Sequence, residues 1–212
     1  MPDVDAVLEA LADAYPDADP EPSNEDPFRT LIGCILSQRT REGNAERAAR
    51  SLFDAASTPE EVLGLSQDRL EALIRPSGFY RQKARHVIGA CRALVENYGG
   101  AVPRGREALM RLPGVGPKTA DIVLAYSYGA QTVPVDVHVW RVSRRLGLAP
   151  IDADHEAVKE ALEKTIPSDY KVLYDRTTLR LGKEYCRKSA PRCGECPLRG
   201  LCDHASRGLS VP

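Results

Sequence analysis

Four cysteines, Cys186, Cys193, Cys196 and Cys202, follow one another as C-x6-C-x2-C-x5-C within 17 residues of the 212-residue chain. The N-terminus, MPDVDAVLEA, carries acidic residues where a secretory signal would carry positive charge, so a cytoplasmic location is expected. Thiols stay reduced there, and four of them so close together read as a metal site rather than as disulfides. Thiolate sulfur suits either structural zinc or an iron–sulfur cluster, and spacing alone does not choose between them. The two other cysteines, Cys34 and Cys91, fall on apolar helical stripes and read as core residues.

A second constellation is Leu112-Pro113-Gly114-Val115-Gly116-Pro117-Lys118-Thr119-Ala120. Pro113 stops a preceding helix, the two glycines allow a tight turn, and Pro117 suits the first turn of the next helix. The product is a helical hairpin whose second helix starts with unpaired N–H groups, a suitable seat for a DNA phosphate. Two glycines alone would indicate only an ordinary hairpin; the full nine-residue string favours DNA binding. Lys118 stands at that helix start, where positive potential and partial burial are expected to disfavour its ammonium. On its own, a lysine at a helix start more often contacts phosphate or lies at the surface.

A third is Val133-Pro134-Val135-Asp136-Val137-His138-Val139-Trp140-Arg141-Val142. Asp136 precedes a helical run ending near Gly147, so it reads as an N-cap worth about 1 kcal/mol. A carboxylate held that way also suits stabilisation of positive charge developing on a sugar. His138 reads as a structural residue or a DNA contact.

Almost all periodic segments that must position these groups are helical. Apolar residues recur at three- and four-residue spacing in Val4/Val7/Leu8/Leu11, Phe28/Leu31/Ile32/Ile35/Leu36, Leu70/Leu73/Ile74, Val87/Ile88/Cys91/Leu94, Ile122/Val123/Tyr126 and Val158/Leu162/Ile166. Thr58 and Asp152 stand where N-caps are expected, and only Gln131 to Val135 looks β-like. About ten helices and an all-α fold are expected. The composition, 42% hydrophobic and 28% charged, is that of a globular protein, and no stretch approaches the roughly 20 apolar residues of a membrane helix. The net charge of −1 hides an asymmetry: residues 1–28 hold nine acidic groups and no Lys or Arg, while 171–207 hold nine Lys or Arg against four acids. One basic face could therefore meet a polyanion while the acidic segment lies elsewhere.

The nine-residue hairpin resembles the LPGVGxKTA signature of the helix-hairpin-helix DNA glycosylases, and the segment around Asp136 resembles their VDxHxxR signature. The cysteine spacing matches the endonuclease III branch of that family. The resemblance implies two helical subdomains flanking a DNA cleft. One is a six-helix unit with the hairpin at 24–132; the other, formed by 1–23 and 133–212, holds a [4Fe-4S] cluster on Cys186, Cys193, Cys196 and Cys202. It implies a monomeric base-excision enzyme acting on double-stranded DNA with a damaged base or an abasic site, with Lys118 as Schiff-base nucleophile and Asp136 as catalytic carboxylate. Damaged, chiefly oxidised, pyrimidines would be the substrate; the alternatives are a monofunctional mismatch or uracil glycosylase and a non-catalytic DNA-binding module.

The resemblance also nominates DNA contacts: Gly114, Val115, Gly116 and Thr119 on the hairpin, His138, and Lys188 in the cysteine loop. Gly78-Phe79-Tyr80-Arg81-Gln82-Lys83-Ala84 is similar to the family's GLYNxKA turn, which makes Phe79 the apolar wedge. Where the family shows SAQAT, this chain has Ser37-Gln38-Arg39-Thr40; Gln38 and Arg39 are both nominated as DNA contacts, and an ungapped match puts Arg39, rather than Gln38, at the gap-filling glutamine. Glu42 stands where the family often has Asp.

Overall fold

The computed structural model describes residues 2–206, which form twelve α-helices joined by short loops and turns, with no β-strand among the described residues. The chain folds as two compact units. One is contiguous, Ser23–Gly129; the other joins the chain up to Pro22 with the chain from Ala130 onward.

In chain order, α1 (Val4–Ala14) belongs to the discontinuous unit. The contiguous unit then runs through α2 (Pro27–Ser37), α3 (Glu42–Ala55), α4 (Pro59–Leu63), α5 (Gln67–Ile74), α6 (Tyr80–Tyr98), α7 (Arg106–Met110) and α8 (Pro117–Ile122). Local chemistry sets the ends. Asp26 accepts from the N–H of Arg29 at 2.9 Å ahead of Pro27, and Thr58 accepts from that of Glu61 at 3.2 Å ahead of Pro59. The α6 helix stops at Gly99 in the left-handed region (φ 60°). Leu31, Ile32, Ile35 and Leu36 of α2, Leu52 of α3, and Val87, Cys91 and Leu94 of α6 are fully buried and form the core. Burial, and then the Glu60 carboxylate, pushes the Cys91 thiol up to about 12, so it packs as an inert apolar group. Cys34 is only half-buried.

The discontinuous unit continues with α9 (Val137–Leu146), α10 (His155–Thr165), α11 (Lys171–Glu184) and α12 (Asp203–Ser206). The stripe of Val7, Leu8 and Leu11 on α1 packs with Val139, Val142 and Leu146 of α9 and with Tyr174 and Leu181 of α11. The buried Tyr174 hydroxyl hydrogen-bonds Ser143 Oγ at 2.7 Å, tying α11 to α9. The acidic segment after α1 lies on basic α11: Arg180 donates to both Asp17 oxygens at 2.8 and 2.9 Å and stacks over Tyr15. Asp17 and Asp19 of the acidic segment thus pair with Arg180 and Arg176 inside this unit.

Two sequence expectations change. The cap of α10 is Asp154, which accepts from the N–H of Ala157 at 2.9 Å; Asp152 lies two residues outside. Residues Thr132 to Val135 are buried and extended without pairing into a sheet, because Val133 and Val135 join the helical core individually.

Arg106 of α7 meets Asp121 of α8, 2% exposed, at 2.8 Å from Nε and 3.3 Å from Nη2, fixing the two arms of the hairpin. Asp121→Ala should cost roughly 2–3 kcal/mol of stability, below the full penalty for breaking a buried pair because Arg106 is partly exposed. Urea unfolding should show it, and an unchanged midpoint would remove this pair from the hairpin's support.

Candidate nucleic-acid interface and metal centre

The hairpin takes the geometry its residues dictate. Leu112 accepts from the N–H of Val115 at 3.1 Å, Gly114 turns the chain at φ 81°, and Gly116 enters α8 extended ahead of Pro117. A Cβ on Gly114 would lie 2.8 Å from His86 Cβ on α6, so both conformation and space demand glycine. The helical run continues past α8 through a π turn, Val123–Ser127. Lys118 is exposed rather than partly buried, one residue into α8. Val115 and Thr119 are buried, which leaves backbone as their contribution to any ligand.

Gln38 and Arg39 have different environments. The Gln38 amide donates to the Gly114 carbonyl at 2.8 Å, so it props the hairpin turn, while Arg39 is exposed with a left-handed backbone (φ 51°). Phe79 is also left-handed (φ 46°) and 63% exposed, so this aromatic is not a core anchor. Between these segments lies a residue whose role sequence reasoning missed. Lys83 is 4% exposed, and its ammonium donates to Leu36 O, Thr40 Oγ1 and Ser77 O at 2.6, 2.6 and 2.8 Å. Only the rarity of a fully buried lysine could have signalled it, and burial cannot be read from one position of a helical stripe.

The remaining nominated residues belong to the discontinuous unit. Asp136 caps α9, its Oδ1 accepting from the N–H groups of His138 at 2.7 Å and Val139 at 2.9 Å. His138 packs on α11, where Gly182 leaves it room: a Cβ there would sit 2.7 Å from His138 Cβ. His138 Nδ1 lies 3.1 Å from Arg141 Nη2, and Arg141 donates onward to Gly182 O at 2.9 Å and Cys186 O at 2.7 Å. Lys188 is exposed, and its carbonyl accepts from Arg145.

Cys186, Cys193, Cys196 and Cys202 line one small cavity of about 20 Å³ with Arg145 and His204. Arg145 is 5% exposed. Its Nη1 lies 3.4 Å from Cys186 Sγ and 2.7 Å from Arg187 O, and its carbonyl accepts from Cys202 Sγ at 3.3 Å. Burial, then the neighbouring Cys186, Cys202 and Cys193, pushes the Cys196 thiol up to about 11. The described residues contain no group of three or more His, Cys, Asp or Glu side chains arranged to hold one metal ion.

A fold of this kind, with a Gly-Val-Gly hairpin ahead of an exposed lysine, is that of a base-excision repair protein. A family model described as HhH-GPD superfamily base excision DNA repair protein matches residues 32–168. Endonuclease III of Thermotoga maritima is 42% identical over 182 residues, 86% of this chain and 85% of its own length. Endonuclease III of Escherichia coli strain K12 is 35% identical over 201 residues, 95% of each chain. A solved structure of a trapped endonuclease III–DNA covalent intermediate, an estranged-adenine complex, matches with a TM-score of 0.85 at 35% identity, over 97% of this chain and 96% of that one. The chain therefore belongs to the endonuclease III family of the HhH-GPD superfamily. It is a DNA glycosylase and abasic-site lyase of base-excision repair.

Gly114→Ala should disrupt the turn twice over, through left-handed strain of about 1–2 kcal/mol and through the clash with His86. The variant should lose most of its affinity for duplex DNA. Unchanged binding would show that the turn's backbone takes no part in holding DNA.

Proposed function

We propose that this enzyme removes damaged pyrimidines, chiefly oxidised ones, from double-stranded DNA and then cleaves the strand, with Lys118 as nucleophile. The observation that carries the reading is the exposed Lys118, set one residue into α8 behind a turn that only glycine can make. With the damaged nucleotide out of the stack, the amine of Lys118 attacks C1′ and the bond to the base breaks, the base leaving with the electron pair and taking up the proton that the nitrogen gives up. The C1′–O4′ bond then breaks, O4′ taking the electron pair and a proton, and the opened sugar is left as a protonated imine on Lys118. Loss of a C2′ proton then expels the 3′ phosphate. A relative has been trapped as a covalent intermediate with DNA, in keeping with such a bond. Asp136, oriented by its two cap bonds, would supply the negative charge that supports the developing cation at the sugar. The hairpin backbone at Gly114, Val115, Gly116 and Thr119, together with Lys188, would hold phosphates, and the exposed Arg39 and Phe79 would enter the duplex. His138, joined to Arg141 and α11, would act mainly by fixing the helix that carries Asp136.

The four cysteines are assigned to a [4Fe-4S] cluster. What supports the reading is the C-x6-C-x2-C-x5-C spacing together with the buried cation of Arg145 beside the four cysteines, which suits an anionic cluster. When bound, such a group supplies covalent bracing to residues 186–202. The enzyme would work as a monomer in the cytoplasm, and no described helix is long and apolar enough to cross a membrane.

Borohydride trapping on a duplex with one abasic site is the decisive test of the nucleophile. Wild type should give a covalent protein–DNA band and Lys118→Gln none, with abasic-site binding kept within about threefold; a band from Lys118→Gln would remove Lys118 from the mechanism. Asp136→Asn keeps a good helix cap but loses the charge, so base removal should slow by about a hundredfold or more with little change in stability. Normal turnover in that variant would reduce Asp136 to a cap. Purified protein should be brown, with close to four irons and four sulfides per chain, and Cys202→Ser should lose most of them. A colourless zinc protein would overturn the cluster assignment.

A further inference from the structure

Lys83 sits in the first turn of α6, yet each of its three bonds leaves that helix: to the last turn of α2 at Leu36, to the following loop at Thr40, and to the 3-10 turn Arg75–Ser77. The Thr40 hydroxyl also bonds the Ser77 carbonyl, closing the network. One segment carries Arg39 and the other runs directly into Phe79. Both residues hold left-handed backbones, an unfavourable state for side chains of this kind that lasts only where the surroundings impose it. Only Asn24 and Ala190 share it among the described non-glycine residues. Both side chains are exposed, Phe79 to 63%.

From this we infer that Lys83 is a positioning residue for duplex opening: its ammonium fastens the Arg39 loop to the Phe79 turn, so that the two exposed side chains enter DNA as one preset pair. The inference rests on the reading above that these two side chains insert. It needs the charged form, because an ammonium has three N–H donors and three acceptors face it, whereas a neutral amine has two donors and a lone pair turned on a carbonyl. Burial draws Lys83 down to about 8 from its usual 10.5. No charged group bonds it. On the elements around it, Arg39, Arg41, Glu42, Arg75 and Arg81 are at the surface and His86 is half-buried. The bridge should therefore lose a strand as pH rises through about 8.

Fold stability moves the other way. The folded chain gives up this proton more readily than the unfolded chain, so between about pH 8 and 10.5 the contribution of Lys83 to stability rises with pH. Loss of insertion over that window would not be unfolding.

The test uses the full chain with Lys118→Gln, so that DNA is bound but not cut, and a duplex with 2-aminopurine opposite an abasic site. Unstacking of 2-aminopurine by the inserted side chains should raise its fluorescence several-fold at pH 7, and the rise should fall with a midpoint near pH 8 at saturating protein. Adding Lys83→Met should remove most of the rise at every pH while weakening binding less than about threefold. A full rise with the same pH profile in Lys83→Met would overturn the inference. Phe79→Ala and Arg39→Ala separate the two layers: if they leave the signal intact, the insertion reading fails and the inference falls with it; if they abolish it while Lys83→Met does not, only the role of Lys83 fails. Should Lys83→Met not fold, Thr40→Val removes one acceptor. It should halve the rise or more, and an unchanged signal would count against the bridge.

Discussion

Carbonyls at the ends of helices have no partner within the helix, and in this chain long basic side chains supply the missing donors. Lys83 reaches the carbonyls of Leu36 and Ser77, Lys171 that of Gln131, Arg141 those of Gly182 and Cys186, and Arg145 those of Arg187 and Lys188. These segments have no ladder of their own, and several carry the residues assigned to chemistry or DNA. A buried cation is expensive to desolvate, and donation to several carbonyls at once offsets that cost. Such a side chain bonds irregular backbone more selectively than apolar packing can.

The same arrangement explains why function is placed on loops here without loops being loose. The hairpin turn is propped by Gln38, its arms by Arg106 and Asp121, and its crossing of α6 by the absence of a side chain on Gly114. In the other unit, Asp136 holds the start of α9 while the arginines farther along that helix hold the cysteine segment. One helix thus orients the carboxylate at its head and the sulfur donors along its flank.

The all-helical fold was legible from the three- and four-residue apolar spacing, because most stripes are long enough to show a period. The α12 helix, four residues long, carries no such period and stayed invisible, and α7, five residues long, was signalled only by the stop at Pro113. The cap at Asp154 was misplaced to Asp152 because two aspartates two residues apart are equivalent until the backbone turns. Motifs nominated Lys118, Asp136 and the cysteines, since their neighbours in sequence are also their supports. Lys83, Arg106 with Asp121, and Arg145 went unread, because each acts on partners between 6 and 57 residues away, through bonds that only the fold creates.

The two units differ in one further respect, the order in which their parts become available. The contiguous unit is complete once residue 129 has been made, so its core can form while the rest of the chain is still being synthesised. The α1 helix must wait for α9 and α11, over a hundred residues later, before Val7, Leu8 and Leu11 find the apolar faces they pack against. Until then three bulky aliphatic side chains stay uncovered in the nascent chain, flanked by the acidic groups of residues 1–28. Like-charge repulsion between neighbouring nascent chains gives that acidic run a second use, discouraging association during the interval before α11 emerges.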